Sequence, residues 1–177
     1  MDLSANLSRE ERLWVEGRYR EVTNEWDKAV EIYSTLWRFF PDNLDYGLRL
    51  TDAQTRGGRG KDALATAETL RDLPPPQRDD PRIDLAEAQA AYALGDNRRA
   101  QQAAARASLK GEAVEAQLVV AAARIAEGRA LAALGEPRKA RTAYEEAQRI
   151  FAAAGDWAGV ARVVNNKIGR ASCRERV

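Results

Sequence analysis

A spacing that returns along the chain constrains it more than any other feature. Gly17 is followed twelve residues later by Ala29, then by Tyr33 and Pro41. Moving 34 residues on from Ala29 gives Ala63, and the same step from Pro41 gives Pro75. A third set is centred on Leu94-Gly95-Asp96, with Ala100 and Ala107 at matching offsets. A fourth holds Gly128, Leu134-Gly135, Ala140, Tyr144 and Ala147. Each set reads small residue, turn, then Ala with an aromatic or another small residue. Self-similarity at such a period means stacked units, each too small to bury its own apolar face alone.

The local signals between these positions are helical. Val30, Tyr33, Leu36, Trp37 and Phe40 recur at steps of three and four, the period of one helix face. Ser8 and Glu11 form a capping box, in which the hydroxyl accepts from an early backbone N–H and the carboxylate reaches back. Asp80-Pro81 places an N-cap before a proline at the first helical position, and Asp96 and Asp156 stand where caps are needed. Gly57-Gly58, Gly60, Gly95, Gly135 and Gly155 punctuate the helical runs. Pro74-Pro75-Pro76 stops one helix before Pro81 starts the next.

Composition agrees and removes most chemistry. Hydrophobic residues make up 45% of the 177, with Ala the commonest. Alanine has the best helix propensity and lets helices approach closely. The 28 basic and 27 acidic residues leave no electrostatic footprint for nucleic acid or an anionic membrane. Histidine is absent, which removes the usual general base and the commonest metal ligand. A single Cys forms no internal disulfide, so nothing points to an oxidising compartment. No stretch approaches the roughly 20 apolar residues of a membrane helix. The start Met1-Asp2-Leu3-Ser4 has no signal-peptide character, which points to the cytoplasm.

The stretch Asn24-Glu25-Trp26-Asp27-Lys28-Ala29-Val30-Glu31-Ile32-Tyr33 resembles the second-helix signature of a tetratricopeptide repeat, whose period is 34 residues. The resemblance implies an all-α fold, a right-handed superhelical solenoid of antiparallel helix pairs. It sets about four and a half repeats over residues 1–167, at 10–43, 44–77, 81–114 and 121–154, with a partial one from 156. Asn24 stands in place of the turn Gly, Thr51 occupies a small-residue position, and the third copy lacks the closing Pro. Spacings of 37 and 40 between later copies imply longer helices or loops. Gly17, Ala29, Ala63, Ala88, Ala100, Gly128 and Ala140 are expected where helices pack close. Trp26, Tyr33, Trp37 and Tyr144 are expected to fill the hairpin cores.

In this family the first helix of each repeat lines a concave groove that takes a peptide or a partner helix. The groove positions carry over to Trp14 and Arg18 in the first copy and to Leu48, Asp52 and Arg56 in the second. The third supplies Leu85, Gln89 and Tyr92, and the fourth Ile125 and Arg129. The bland alternative for each is an ordinary solvated helix face or a core aromatic. The expected partner is a protein or peptide, with no nucleic acid or membrane contact by this segment.

No catalytic residue, cofactor or metal site is expected. Arg9-Glu10-Glu11-Arg12 reads as a solvated first turn. Arg78-Asp79-Asp80-Pro81-Arg82 lacks the ligand spacing of a calcium loop, and an N-cap explains its acids. Lys61 is followed by Asp62 rather than Ser or Thr, so the Gly57–Gly60 cluster is a turn and not a phosphate loop.

Two blocks, Gly17 to Leu50 and Asp80 to Leu85, resemble the C-terminal repeat regions of bacterial serine/threonine kinases and of winged-helix transcriptional regulators. That resemblance implies a fragment of a larger bacterial signalling protein, with its output domain lying N-terminal. The alternative is a free-standing adaptor or scaffold. The final Ile168-Gly169-Arg170-Ala171-Ser172-Cys173-Arg174-Glu175-Arg176-Val177 resembles one translated frame of a common short-read sequencing adapter. Residues 168–177 are therefore expected to be an artefact without order, and the helix around Trp157–Asn166 an accidental cap on the fourth copy.

Overall fold

A computed structural model describes the backbone of residues 7–174 and the side chains of residues 7–166. Among the described residues every regular element is helical, and the helices fall into two compact units that divide after Asp79.

The first unit holds α1 (Arg9–Val22), α2 (Trp26–Phe39), α3 (Leu44–Arg56) and α4 (Gly60–Thr69), closed by short 3-10 turns at Leu70–Asp72 and Gln77–Asp79. Each helix packs on the next in sequence. Ser8 and Glu11 make the expected capping box, with Glu11 N–H donating to Ser8 Oγ at 3.2 Å and Ser8 N–H to Glu11 Oε2 at 2.8 Å. That bond holds the Glu11 carboxyl below its ordinary pKa. Asn43 caps α3, accepting from the N–H groups of Asp45 and Tyr46. The core gathers Ala29, Val30, Tyr33, Leu36, Tyr46, Leu50 and Ala53, with Leu13, Trp14, Ile32 and Trp37 packed on it. Trp37 thus serves the core as expected. Trp26, expected there too, is half-buried outside this cluster, and the Arg56 guanidinium lies 5.3 Å over its ring.

The second unit holds α5 (Pro81–Ala93), α6 (Asn97–Ala113), α7 (Gln117–Ala133), α8 (Pro137–Ala153) and α9 (Trp157–Arg174). Sequential neighbours pack together again, and α5 also touches α7, so first helices of successive pairs lie side by side. Asp80, Asp96 and Asp156 each accept from a backbone N–H in the following turn, at 2.8, 3.0 and 2.8 Å. Alanine dominates the interior: Ala88, Ala103, Ala104 and Ala126 form one cluster. Ala121, Leu131, Ala140, Tyr144, Ala147, Phe151 and Val163 form another. Val163 reaches it from α9, so that helix packs on α8.

The uneven spacing of the copies has two causes. α6 and α7 each run 17 residues where α1 and α2 run 14, which stretches the later interval. The earlier interval is lengthened by the Pro74–Pro76 segment and its flanking 3-10 turns. Gly60 is not punctuation: it is the buried first residue of α4. α9 extends into the segment 168–177 as far as Arg174, where the sequence reading expected no order; residues 175–177 lie outside the described residues. Once α9 is nucleated on the core, each further residue adds a hydrogen bond, and no proline interrupts it.

Candidate protein-binding face

The side chains singled out by the repeat register lie on α1 and α3 in the first unit and on α5 and α7 in the second. All but Arg56 are half-buried, and Arg56 is exposed.

Trp14 anchors the set in the first unit. Its ring centroid lies 5.5 Å from that of Tyr46 and 6.1 Å from that of Tyr33, and the Arg49 guanidinium sits 5.9 Å over it. Its core-side edge is therefore fixed while the ring stays partly open. Arg18, one turn along α1, donates to Glu21, and Arg49 reaches the same carboxylate oxygen at 3.4 Å. Glu21 is largely withdrawn from solvent, with 10% of its side chain exposed, against 42% for Arg18 and 39% for Arg49. The buried Tyr33 hydroxyl lies beside it, and burial followed by the Glu21 carboxylate pushes that phenol above its ordinary pKa. On α3, Arg56 Nε bonds both Asp52 oxygens at 3.0 Å and stacks on Trp26. Leu48 is half-buried on the same helix.

In the second unit, Arg129 on α7 lies 4.3 Å over the ring of Tyr92 on α5. This joins two predicted residues from successive first helices. Gln89 is half-buried one turn before Tyr92. Leu85 packs against Ala88, Ala103, Ala104 and Ala126, and Ile125 against the cluster around Tyr144. These two serve the core with part of their surface. The structure thus brings together Trp14 with Arg18 through Glu21 and Arg49, Asp52 with Arg56, and Tyr92 with Arg129.

Sequence reasoning missed Arg49 and Glu21, and it missed a buried ion cluster. Asp84 on α5 is fully buried and meets Arg106 Nε at 3.0 Å and Lys110 Nζ at 2.8 Å, both on α6. Glu87, one turn on, takes Arg99 at 2.8 Å and Arg106 at 2.7 Å. The acids at a spacing of three and the bases Arg106 and Lys110 at a spacing of four were visible. Their facing across one hairpin was not.

Two clefts open on the surface, one of them beside Arg56. One of about 320 Å³ is lined by Arg124, Glu127, Glu136, Lys139 and Glu146, and one of about 440 Å³ by Trp26, Glu25, Lys28 and Arg56. In both, carboxylates and cations pair with one another. Arg124 alone meets Glu112, Glu127 and Glu146. Among the described residues no group of three or more His, Cys, Asp or Glu is placed to hold a metal ion, and no helix is long and apolar enough to cross a membrane.

No family model matches the chain, and no curated protein matches it. Solved structures of MamA do resemble it. One is 16% identical with a TM-score of 0.58, covering 94% of this chain and 94% of that one. A second MamA structure is 16% identical with a TM-score of 0.57, covering 91% of this chain and 97% of that one. Identity this low speaks to the fold alone, and that fold is the tetratricopeptide-like helical repeat.

Proposed function

We propose that the chain is a protein-interaction module that takes a peptide or a partner helix on the face formed by the first helices of its pairs. The repeats are those at 10–43, 44–77, 81–114 and 121–154. The observation that carries this reading is the same pairing in each unit, a half-buried aromatic under a guanidinium: Trp14 with Arg49, and Tyr92 with Arg129. Aromatic and Arg side chains, pre-positioned and partly desolvated, are the groups that dominate interface energies. Arg18, Leu48, Asp52 and Arg56 complete the face in the first unit, and Leu85, Gln89 and Ile125 in the second. The MamA-like fold supports a scaffold role, and we read the chain as non-catalytic.

The reading extends to the parent protein. The likeness of the Gly17–Leu50 and Asp80–Leu85 blocks to repeat regions of bacterial regulators supports a segment of a larger cytoplasmic signalling protein. It rests on sequence alone, as does the adapter reading of residues 168–177. Long-read resequencing of the source locus tests both: a frame running past Lys167 without the adapter codons and upstream into an output domain is the expected result. A natural stop after Val177 and a start at Met1 favour the free-standing adaptor instead.

Selection of binders from a displayed random-peptide library, followed by amide-exchange footprinting, tests the face itself. Protection on α1 and α3 or on α5 and α7 is expected, with Trp14→Ala or Tyr92→Ala weakening the selected peptides about tenfold or more. Protection confined to α2, α4, α6 and α8 would sink the assignment.

A further inference from the structure

The cations on α1 and α3 are not balanced in the same way. Arg56 has its own carboxylate, Asp52, bonded through both oxygens. Arg18 and Arg49 instead share one oxygen of Glu21, and among the described residues no other carboxylate pairs with either. Two guanidiniums against one buried carboxylate leave an excess positive charge. About two-fifths of each side chain remains open to solvent. A guanidinium carries five N–H donors in a fixed fork. Each of these spends one nitrogen on Glu21, so donors remain on both forks.

Resting on the interaction-face reading above, we propose that Arg18 and Arg49, with Trp14 beneath the Arg49 guanidinium, seat a side-chain carboxylate of an acidic peptide segment. The incoming carboxylate bridges the two forks from the side away from Glu21 and turns a two-to-one cluster into a two-to-two cluster. Charge-assisted bonds of this kind are short and roughly twice as strong as neutral ones. Trp14 offers the peptide an apolar surface beside the charge. Trp14 and Arg18 stand in the middle of α1, and Arg49 in the middle of α3. A chain crossing there continues on both sides of the seat, so the carboxylate belongs to an internal Glu or Asp rather than to a C-terminus.

The test is fluorescence anisotropy with the full chain and a fluorescein-labelled, C-terminally amidated peptide of alternating Glu and Ser, against its Gln counterpart. The Glu peptide is expected to bind at low salt and to weaken as salt rises, with the Gln peptide about tenfold weaker or worse. Arg18→Gln and Arg49→Gln should each weaken the Glu peptide about tenfold. Arg59→Gln, which removes an equal charge from the exposed Arg59–Asp62 pair, should not. Glu21→Gln frees both forks and should tighten binding, a gain that misfolding does not produce. Equal binding of both peptides, or equal effects of the Arg49 and Arg59 variants, overturns the acid seat. If Trp14→Ala then abolishes binding of both peptides, the interaction face stands without it. Binding only by a peptide with a free C-terminal carboxylate also overturns the seat, and so does failure of the Glu peptide to bind. The face is judged separately by the display selection.

Discussion

The backbone of Gly128 lies flat against the ring of Tyr144, so close that a Cβ there would stand 2.6 Å from Cε1. Gly17 and Tyr33 repeat the relationship in the first unit, at 2.8 Å. In each case the glycine sits on the first helix of a pair and the tyrosine on the second. The contact sets how closely the hairpin closes. It also explains why two helices tolerate a residue of poor helix propensity in their interior.

Gly128→Ala decides between two effects of opposite sign. Alanine improves helix propensity by about 1 kcal/mol. The new methyl, however, meets an aromatic ring at an impossible distance, and overpacking a filled interior costs about 1–3 kcal/mol. Tyr144 is 4% exposed and enclosed by its cluster, so the ring has little room to give. The variant should lower the urea midpoint. In a Tyr144→Leu background the same substitution should cost less. Equal costs in both backgrounds would show that the ring contact is not the cause.

Much of this was legible in advance. The register of Gly17, Ala29, Tyr33 and Pro41 carried the helix pairs, because close approach demands small residues at fixed offsets. Ser8, Asp80, Asp96 and Asp156 marked helix starts, because a cap is a local event. The candidate face was legible only by analogy of position: Trp14, Arg18, Tyr92 and Arg129 were named, but not what they touch. Arg49 and Glu21 stayed hidden because their meeting depends on how α1 and α3 lie side by side. The Asp84 cluster stayed hidden for the same reason, since pairing across a hairpin is not written in either helix alone.

Asp84 makes the next prediction. Its carboxylate is fully buried, whereas Arg106 and Lys110 keep 45% and 35% of their side chains in solvent. Removing either cation leaves the other in place beside the acid, whereas removing the acid's charge breaks both ion pairs at once. Asp84→Asn should therefore destabilise by about 1.5–3 kcal/mol, the range for a lost bond to a charged group. Lys110→Gln should cost less, because Arg106 still answers the buried charge. Urea denaturation of both variants checks the order, and a larger loss for Lys110→Gln would contradict it.

Glu115 ends the α6 turn with φ at +56°, a region that costs most L-residues about 1–2 kcal/mol. The corresponding turns at Gly95, Gly135 and Gly155 carry glycine with φ from 71° to 80°. Glu115 is exposed and no ion pair holds it among the described residues. Glu115→Gly should stabilise by about 0.5–1 kcal/mol, less than the full relief because glycine gains freedom in the unfolded chain. The urea midpoint should rise with an unchanged slope. A fall would mean that the Glu115 side chain contributes more than its strained backbone costs.

Alkaline pH tests the packing of Tyr46. Its hydroxyl donates to the Glu10 carboxylate across the α1–α3 contact, and it is 8% exposed. Burial first, then that bond, pushes the phenol from 10 up to about 12. A group whose pKa is raised on folding stabilises fully below its unfolded pKa and loses that contribution as pH climbs through the folded one. Wild-type stability should therefore fall between pH 10 and 12, as Tyr46 is forced to ionise beside a carboxylate. Tyr46→Phe has no proton to lose there, so its stability relative to wild type should improve steadily across that window and be constant below it. Tyr33 shifts in the same direction and stays in both proteins, so a common decline remains in each. Denaturant melts at stepped pH read the difference. A difference that does not change between pH 10 and 12 would mean that Tyr46 titrates as freely in the folded chain as in the unfolded one.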